Sequence, residues 1–264
     1  MMALNPRDSI KDAEYWTAYV PDQRSFIKEI KQDLKETDQS AKQKLGDAYD
    51  LQRHAYNYGC ALYSAGAPLS EVCEAFRFVL TEAYPQFVAM CQDHPDLAQG
   101  YSGGWDVRYK YISLAILLNL PSEDNRPLLN ALAFWQEPDL GMETMITEMC
   151  REARDNYILN ANAKMLLWPD DYASLNQALA PHISRVEQTG HLEEFLKNWL
   201  KEMRKSTNPA YNNHNNRHNI YFGYWCWEAA AVAVIMDVED SAIKSHKHYP
   251  NDMVLRARHE RGLL

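Results

Sequence analysis

The sequence has few of the residues that build disulfide scaffolds and flexible linkers. Its 264 residues include only five cysteines and ten glycines. No Cys-x-x-Cys pair occurs, and cysteines such as Cys73 and Cys91 stand in apolar helical surroundings. This pattern predicts reduced core thiols and excludes a disulfide framework or a cysteine zinc site. No Gly/Ser-rich linker occurs either, so we expect any two parts of the chain to pack closely.

Long hydrophobic runs are also absent. The longest apolar segments, residues 112–120 and 229–236, are well short of the about 20 residues that a membrane-spanning helix needs. The N-terminal residues carry early acids and no continuous apolar stretch, unlike a signal peptide. We therefore expect a cytoplasmic protein with no membrane partner.

Positive charge is scarce. The chain has 27 Lys and Arg residues but 36 Asp and Glu residues, which gives a formal charge of −9. The deficit lies in the middle of the chain, where residues 66–160 hold 14 acids against 6 bases. Such a surface repels nucleic acid and suits a basic protein partner. An ordinary solvated acidic helical surface has the same composition.

Alternating apolar and polar residues, the pattern of a strand, do not occur convincingly, and helical periodicity runs nearly throughout. We predict an all-α fold, a compact bundle of roughly ten helices that are mostly antiparallel hairpins. The predicted helices cover residues 7–19, 22–37, 40–65, 70–92, 105–120, 124–136, 139–160 and 191–205, with further helices beginning at Pro169 and Pro250.

Proline, glycine and acidic residues mark the predicted helix ends. Gly66 and Pro68 end the helix of residues 40–65, and Pro85 bends the next one. Asp237 is predicted to cap a short helix, with Asp240 reaching back to it.

Known catalytic and metal-binding motifs are missing. No HExxH, phosphate-binding loop, GxGxxG or nucleophile-elbow pattern appears. His214 and His218 stand four apart, and His246 and His248 two apart, but neither pair has a helical context that would align two metal ligands. We therefore predict no metal and no cofactor, and interpret these histidines as loop residues.

Three carboxylates have both a catalytic interpretation and a simpler, structural one. Asp170 and Asp171 lie at a predicted helix start, where carboxylates interact favourably with the helix dipole. Glu228 lies in the apolar segment of residues 225–236, and a buried carboxylate needs a cation or several donors. We interpret it as a structural ion, with Arg53, Arg108 or a tyrosine hydroxyl as candidate partners.

The C-terminal residues resemble a known family. The segment YFGYWCWEAAAVAVIMDVEDSAIKSHKHYPNDMV, residues 221–254, resembles the C-terminal domain of PoNe immunity proteins (PoNi). The matching positions are Tyr221, Gly223, Tyr224, Trp225, Glu228, Asp240, Ser241, Tyr249, Pro250 and Asp252. Residues 196–203 are similar to the family's preceding Trp-bearing helix. Looser similarity around Arg53, Tyr56 and Gly59 and in residues 109–118 suggests an N-terminal PoNi domain at 1–120, followed by the C-terminal domain at 121–264.

This resemblance implies a helical, cytoplasmic immunity protein without catalysis of its own. Such proteins bind and neutralise PoNe-type DNase toxins, which bacteria deliver to competitors by type VI and other secretion systems. An acidic surface would block the basic active-site region of the toxin. The expected partner is therefore a protein, the cognate DNase, and not a nucleic acid.

Acids flanked by an aromatic residue are the candidate toxin contacts, since aromatic anchors dominate many interfaces. The candidates are Trp135, Glu137, Asp139, Glu143, Glu148, Asp170 and Asp171. Two alternatives stay open: a helical-repeat scaffold that binds a protein or peptide, and a metal-dependent hydrolase.

Overall fold

The computed structural model describes residues 5–99, 101, 105–135, 139–149, 169–180, 182–205 and 212–264. Within these ranges the chain is helical and contains no strand, which confirms the predicted all-α class. The helices are α1 Ala13–Asp33, α2 Ala41–Ser64, α3 Leu69–Phe78, α4 Tyr84–Asp93, α5 Pro95–Ala98, α6 Trp105–Leu118, α7 Ser122–Phe134, α8 Leu140–Met149, α9 Pro169–Ala178, α10 Arg185–Lys205, α11 Trp227–Ile235 and α12 Asn251–Glu260.

The first compact unit comprises Met1–Trp105, Glu123–Trp135 and Asn212–Gly223. In it α2 packs against α1, α3 and α4, around fully buried side chains such as Trp16, Leu45 and Phe76. Helix α2 begins with a capping box, because the Ser40 side chain accepts from Gln43 N and the Gln43 side chain accepts from Ser40 N. This arrangement satisfies two backbone donors at the helix start.

The second compact unit comprises Asp106–Ser122, Gln136–Tyr211 and Tyr224–Leu264. Here α9 packs on α10, and α11 packs on α8, α9, α10 and α12. Residues 227–234 of α11 are all buried, and their many alanines allow neighbouring helices to approach closely. Because these two units interleave along the chain, the family domains 1–120 and 121–264 stay a sequence prediction.

Predicted helix boundaries are wrong at α1 and at Asp237. Residues 7–19 and 22–37 do not form separate helices, because α1 runs from Ala13 to Asp33 with Pro21 inside it. Proline costs a helix one hydrogen bond, and packing of α1 along α2 outweighs that cost. Asp237 does not cap a helix, since it has a φ of 47° and follows the C-terminal end of α11.

Candidate functional site

Trp135 is the candidate anchor whose surroundings are best defined. It is half-buried at the end of α7, in the first unit. Its indole Nε1 donates to the Tyr84 hydroxyl at 3.0 Å, and its ring stacks on Phe87 with 6.4 Å between centroids. The indole is therefore held in one orientation with part of its surface accessible, as an interface anchor requires.

Asp139, predicted as a toxin contact, is instead a buried helix cap. Only 1% of it is exposed. Its Oδ1 accepts hydrogen bonds from Gly141 N and Met142 N, at 3.0 and 3.1 Å, and from the Tyr109 hydroxyl at 2.7 Å. An N-cap aspartate satisfies orphan donors of the first turn, and that use removes Asp139 from the acidic surface.

The remaining predicted contacts lie in α8, in α9 or outside the described residues. Glu143 is half-buried in the first turn of α8. Glu137 lies outside the described residues. Glu148 belongs to α8, and Asp170 and Asp171 belong to the first turn of α9.

Exposed acids occur elsewhere in the same acidic section, along the continuous stretch of α3 and α4. Glu71, Glu74 and Glu82 are all exposed there, and we call these three the α3–α4 acidic face. Burial raises the pKa of the half-buried Tyr58 above its usual value, and the charges of Glu71 and Glu74 act in the same direction, although Arg24 opposes them. Two of the acids therefore lie close to a partly accessible aromatic ring.

Tyr221, the first residue of the family-like segment, is tied to the N-terminal residues. Its hydroxyl donates to Asp8 Oδ2 at 2.6 Å, and its carbonyl accepts from the Tyr15 hydroxyl at 2.6 Å. Gly223 follows with a φ of 108°, a backbone conformation that side chains with a Cβ rarely adopt. Both positions thus serve the local structure of the chain, and their assignment as family-motif residues stays a prediction.

Tyr224 and Trp225 lead into α11 and are buried. The Tyr224 carbonyl accepts from His248 Nδ1 at 3.0 Å. The Trp225 ring lies 6.5 Å from that of Trp227. The aromatic segment thus serves packing of the second unit.

Glu228 is fully buried, with 0% exposure, in the first turn of α11. Its charge acts on two buried neighbours. The pKa of the Cys226 thiol is well above its usual value because of burial and then of Glu228. The pKa of Tyr109 is also well above its usual value, through burial, then Asp139, with a smaller contribution from Glu228.

Of the candidate partners for Glu228, Arg53 is wrong. Its guanidinium pairs with Asp50 at 2.8 Å on an exposed part of α2. The tyrosine alternative has a physical basis in Tyr109, because the charge of Glu228 contributes to the raised pKa of the Tyr109 hydroxyl. Glu228 therefore lies among the helices of the second unit, as a structural ion would.

Asp240 and Tyr249 form a buried polar network with Arg258. Asp240 Oδ1 accepts from Arg258 Nη1 at 2.9 Å, and Asp240 Oδ2 accepts from the Tyr249 hydroxyl at 2.8 Å. Arg258 Nη2 also donates to the carbonyls of Val238 and Ala233. The network joins the end of α11, the following turn and α12.

The other motif residues shape the same region. Ser241 donates its N–H and hydroxyl to Glu239, at 2.9 and 2.7 Å. Pro250 directly precedes α12, and Asp252 lies in its first turn, where an acid suits the helix dipole. Arg258 lies in the last turn of α12, where a cation also suits the helix dipole.

The histidine pairs His214–His218 and His246–His248 are interpreted from the sequence as loop residues. His218 is exposed and accepts from Arg217 Nε at 3.1 Å. Across the described ranges, no group of three or more His, Cys, Asp and Glu side chains is arranged to hold a metal ion. In the same ranges, no helix combines the length and the apolar character needed to cross a membrane.

Comparison with known proteins gives a fold likeness for most of the chain and a family match for its C-terminal part. One solved structure, "The Crystal Structure of Protein PA2201 from Pseudomonas aeruginosa", has a TM-score of 0.70 over 98% of this chain and 92% of that chain. Its sequence identity is 13%, so the likeness shows the fold alone. A search of curated proteins found no match. Residues 144–253 match the family model of "PoNe immunity proteins (PoNi), C-terminal", which supports PoNi membership for this part of the chain.

Proposed function

We propose that this protein is an immunity protein that binds and neutralises a cognate PoNe-type DNase toxin. The toxin reaches neighbouring bacteria through an interbacterial secretion system, of type VI or another type. The protein acts in the cytoplasm of the producing cell and its kin, as a stoichiometric inhibitor without catalysis of its own.

The family match over residues 144–253 carries this proposal. Every family-motif position from Tyr221 to Asp252 falls inside the matched segment. Several of these residues build the contacts of α11 and α12 described above, among them the Asp240–Tyr249 hydrogen bond. The motif thus has a physical role that a protein of this family would need in order to fold.

Charge supports the proposed mode of inhibition. A DNase binds phosphates, so the groove of its active site is basic. An acidic inhibitor gains association rate from complementary charge. The net charge of −9 and the acid excess of residues 66–160 supply that complement.

We propose that the toxin contacts come from this acidic section. Trp135 serves as an aromatic anchor, with Glu137, Glu143 and Glu148 as its acidic neighbours in sequence. The α3–α4 acidic face with Tyr58 is the second contact region. Asp139 takes no part, because its carboxylate is buried and caps α8.

The test is DNA cleavage by a purified PoNe-type nuclease, the cognate toxin in this proposal. We expect cleavage to stop when this protein is present in slight molar excess. An unrelated metal-dependent DNase serves as the control, and its activity should not change. Undiminished cleavage by the cognate nuclease at severalfold excess would refute the proposal.

A further inference from the structure

The turn of residues 244–250 carries a buried histidine that the proposed function does not use. His248 is 3% exposed, although histidine is usually found partly in contact with water. The turn follows Ser241 and leads into α12. Its position therefore connects the polar network of Asp240 to the start of the last helix.

Two hydrogen bonds join this turn to the segment before α11, residues 224–226. His248 Nδ1 lies 3.0 Å from the Tyr224 carbonyl oxygen, so the ring must carry its proton on Nδ1. The amide of Cys226 donates to the His248 carbonyl at 2.9 Å. One residue of the turn thus contacts the segment through both its side chain and its backbone.

The other ring nitrogen has no comparable contact. Nε2 of His248 is buried, and among the residues that the structure describes none accepts or donates a hydrogen bond to it. In the neutral ring with Nδ1 protonated, Nε2 bears no hydrogen. Protonation would therefore create a buried N–H donor without an acceptor, which is costly.

The surroundings of the ring favour its neutral form. Helix α10 presents the Trp199 ring at 5.6 Å, and the segment before α11 presents Tyr224 at 6.1 Å. Within the described part of the chain, the charged and titratable groups that act on the ring are Lys247 and His246 of its own turn. Burial chiefly, then Lys247 and His246, lowers the pKa of His248 to about 4, although the hydrogen bond to Tyr224 opposes them.

We propose that His248 is an acid-sensitive latch, whose protonation releases the turn of residues 244–250 from the segment of residues 224–226. The neutral imidazole closes the latch through Tyr224 and keeps the backbone bond of Cys226. The imidazolium opens it, because the charge and the new N–H require water.

The direction of the pH effect follows from linkage. The folded state holds the proton less tightly than the open state, where histidine has its ordinary pKa of 6.5. The latch is therefore closed above pH 6.5 and weakens as the pH falls from 6.5 toward 4. Between pH 7 and pH 5 the equilibrium constant for opening should rise about 20-fold.

Hydrogen exchange of the Cys226 amide tests the latch, because this amide is protected by the His248 carbonyl. We expect its protection factor, corrected for the intrinsic exchange rate, to fall about 20-fold from pH 7 to pH 5. Helical amides of α2, such as that of Ala55, should keep their protection. A change of less than threefold at Cys226, or an equal fall in α2, would overturn the proposal.

The variant His248→Asn keeps a side-chain N–H donor for the Tyr224 carbonyl and removes the titrating ring. In this variant the protection of Cys226 should change little between pH 7 and pH 5. The matched control His246→Asn, on the same turn, should keep the full wild-type fall. The reverse pattern would assign the effect to His246 and overturn the proposal.

A measurement on the unmodified protein covers the case in which His248→Asn does not fold. The ring carbon resonances of His248, followed by NMR across a pH titration, should stay those of a neutral ring down to about pH 5. Titration of His248 near pH 6.5 in the folded protein would overturn the proposal.

Discussion

At the scale of the residue, Arg258 connects several parts of the second unit. Its guanidinium reaches a carboxylate, Asp240, and two backbone carbonyls at the end of α11. Arg256 and Arg261 instead donate to the carbonyls of Leu117 and Ile116, at the end of α6. The three arginines thus hold α12 against the ends of two other helices.

Replacing Arg258 by methionine should strongly destabilise the protein. The side chains of Arg258 and Asp240 are only 9% and 10% exposed, and removing one partner of a buried pair costs about 3–5 kcal/mol of unfolding free energy. Urea denaturation of Arg258→Met measures this loss.

The matched control is Arg185→Met. Arg185 pairs with Asp237 at 3.1 Å, but their side chains are 66% and 45% exposed, so its loss should cost less than about 1 kcal/mol. Equal losses in the two variants would show that burial of the Asp240 pair does not stabilise the fold.

Residue roles were predictable from the sequence where local patterns decide them. Glu228 stands in an apolar helix, and the prediction that its carboxylate is buried agrees with its 0% exposure. The role of Asp139 depends on Tyr109, 30 residues earlier in the chain. Such a contact leaves no local pattern, although an aspartate before a predicted helix start is a signal for an N-cap that would have warned against a surface role.

At the scale of the element, the stretch of α3 and α4 shows how the chain accommodates proline. Residues Val79–Ala83 form a π-helical turn, closed by a hydrogen bond from Tyr84 N to the Val79 carbonyl. Pro85 follows immediately, and its missing N–H falls where the wider turn has already interrupted the α-helical hydrogen-bond ladder. The turn places Tyr84 where it meets Trp135.

Close helix packing makes Gly59 hard to replace. A Cβ at this position of α2 would lie 2.5 Å from the ring of the buried Phe76 of α3. Gly59→Ala gains up to about 1 kcal/mol in helix propensity, but overpacking typically costs about 1–3 kcal/mol. We expect a net loss of thermal stability, measured by the melting temperature.

Gly190→Ala in α10 separates the two effects. No atom lies within 4 Å of a Cβ at this position, so only the gain in helix propensity applies. This variant should raise the melting temperature while Gly59→Ala lowers it. A stabilised Gly59→Ala would mean that α2 and α3 are not packed as closely as described.

The sequence predicted helix interiors better than helix ends. Residues 40–65 were expected and α2 spans Ala41–Ser64, because a cap signal and Gly66 bracket a clear apolar stripe. The helix expected at 191–205 begins earlier, at Arg185. The Ser184–Glu187 capping pair marks this earlier start, because it satisfies backbone donors of the first turn.

At the scale of the whole molecule, the charge distribution leads to a test of the contact surface. The double variant Glu71→Lys/Glu74→Lys reverses two exposed acids of the α3–α4 acidic face. If that face meets a basic nuclease, association at low salt should slow roughly tenfold, and its salt dependence should decrease. Stopped-flow association kinetics with the cognate nuclease measure both effects.

The matched control is Glu193→Lys/Glu194→Lys, which reverses two exposed acids on α10, outside the acidic section. It changes the net charge by the same amount. An equal slowing in both double variants would assign the effect to net charge and contradict a contact at the α3–α4 acidic face.

The claim that matters most is that this protein neutralises its nuclease by binding it, without turnover. Titrating a fixed amount of the cognate nuclease, at a concentration well above the dissociation constant, tests this claim most directly. DNA cleavage should fall linearly and reach zero at a fixed stoichiometric ratio, with both proteins recovered intact. Loss of activity at a small fraction of one equivalent, or no loss at any ratio, would contradict it.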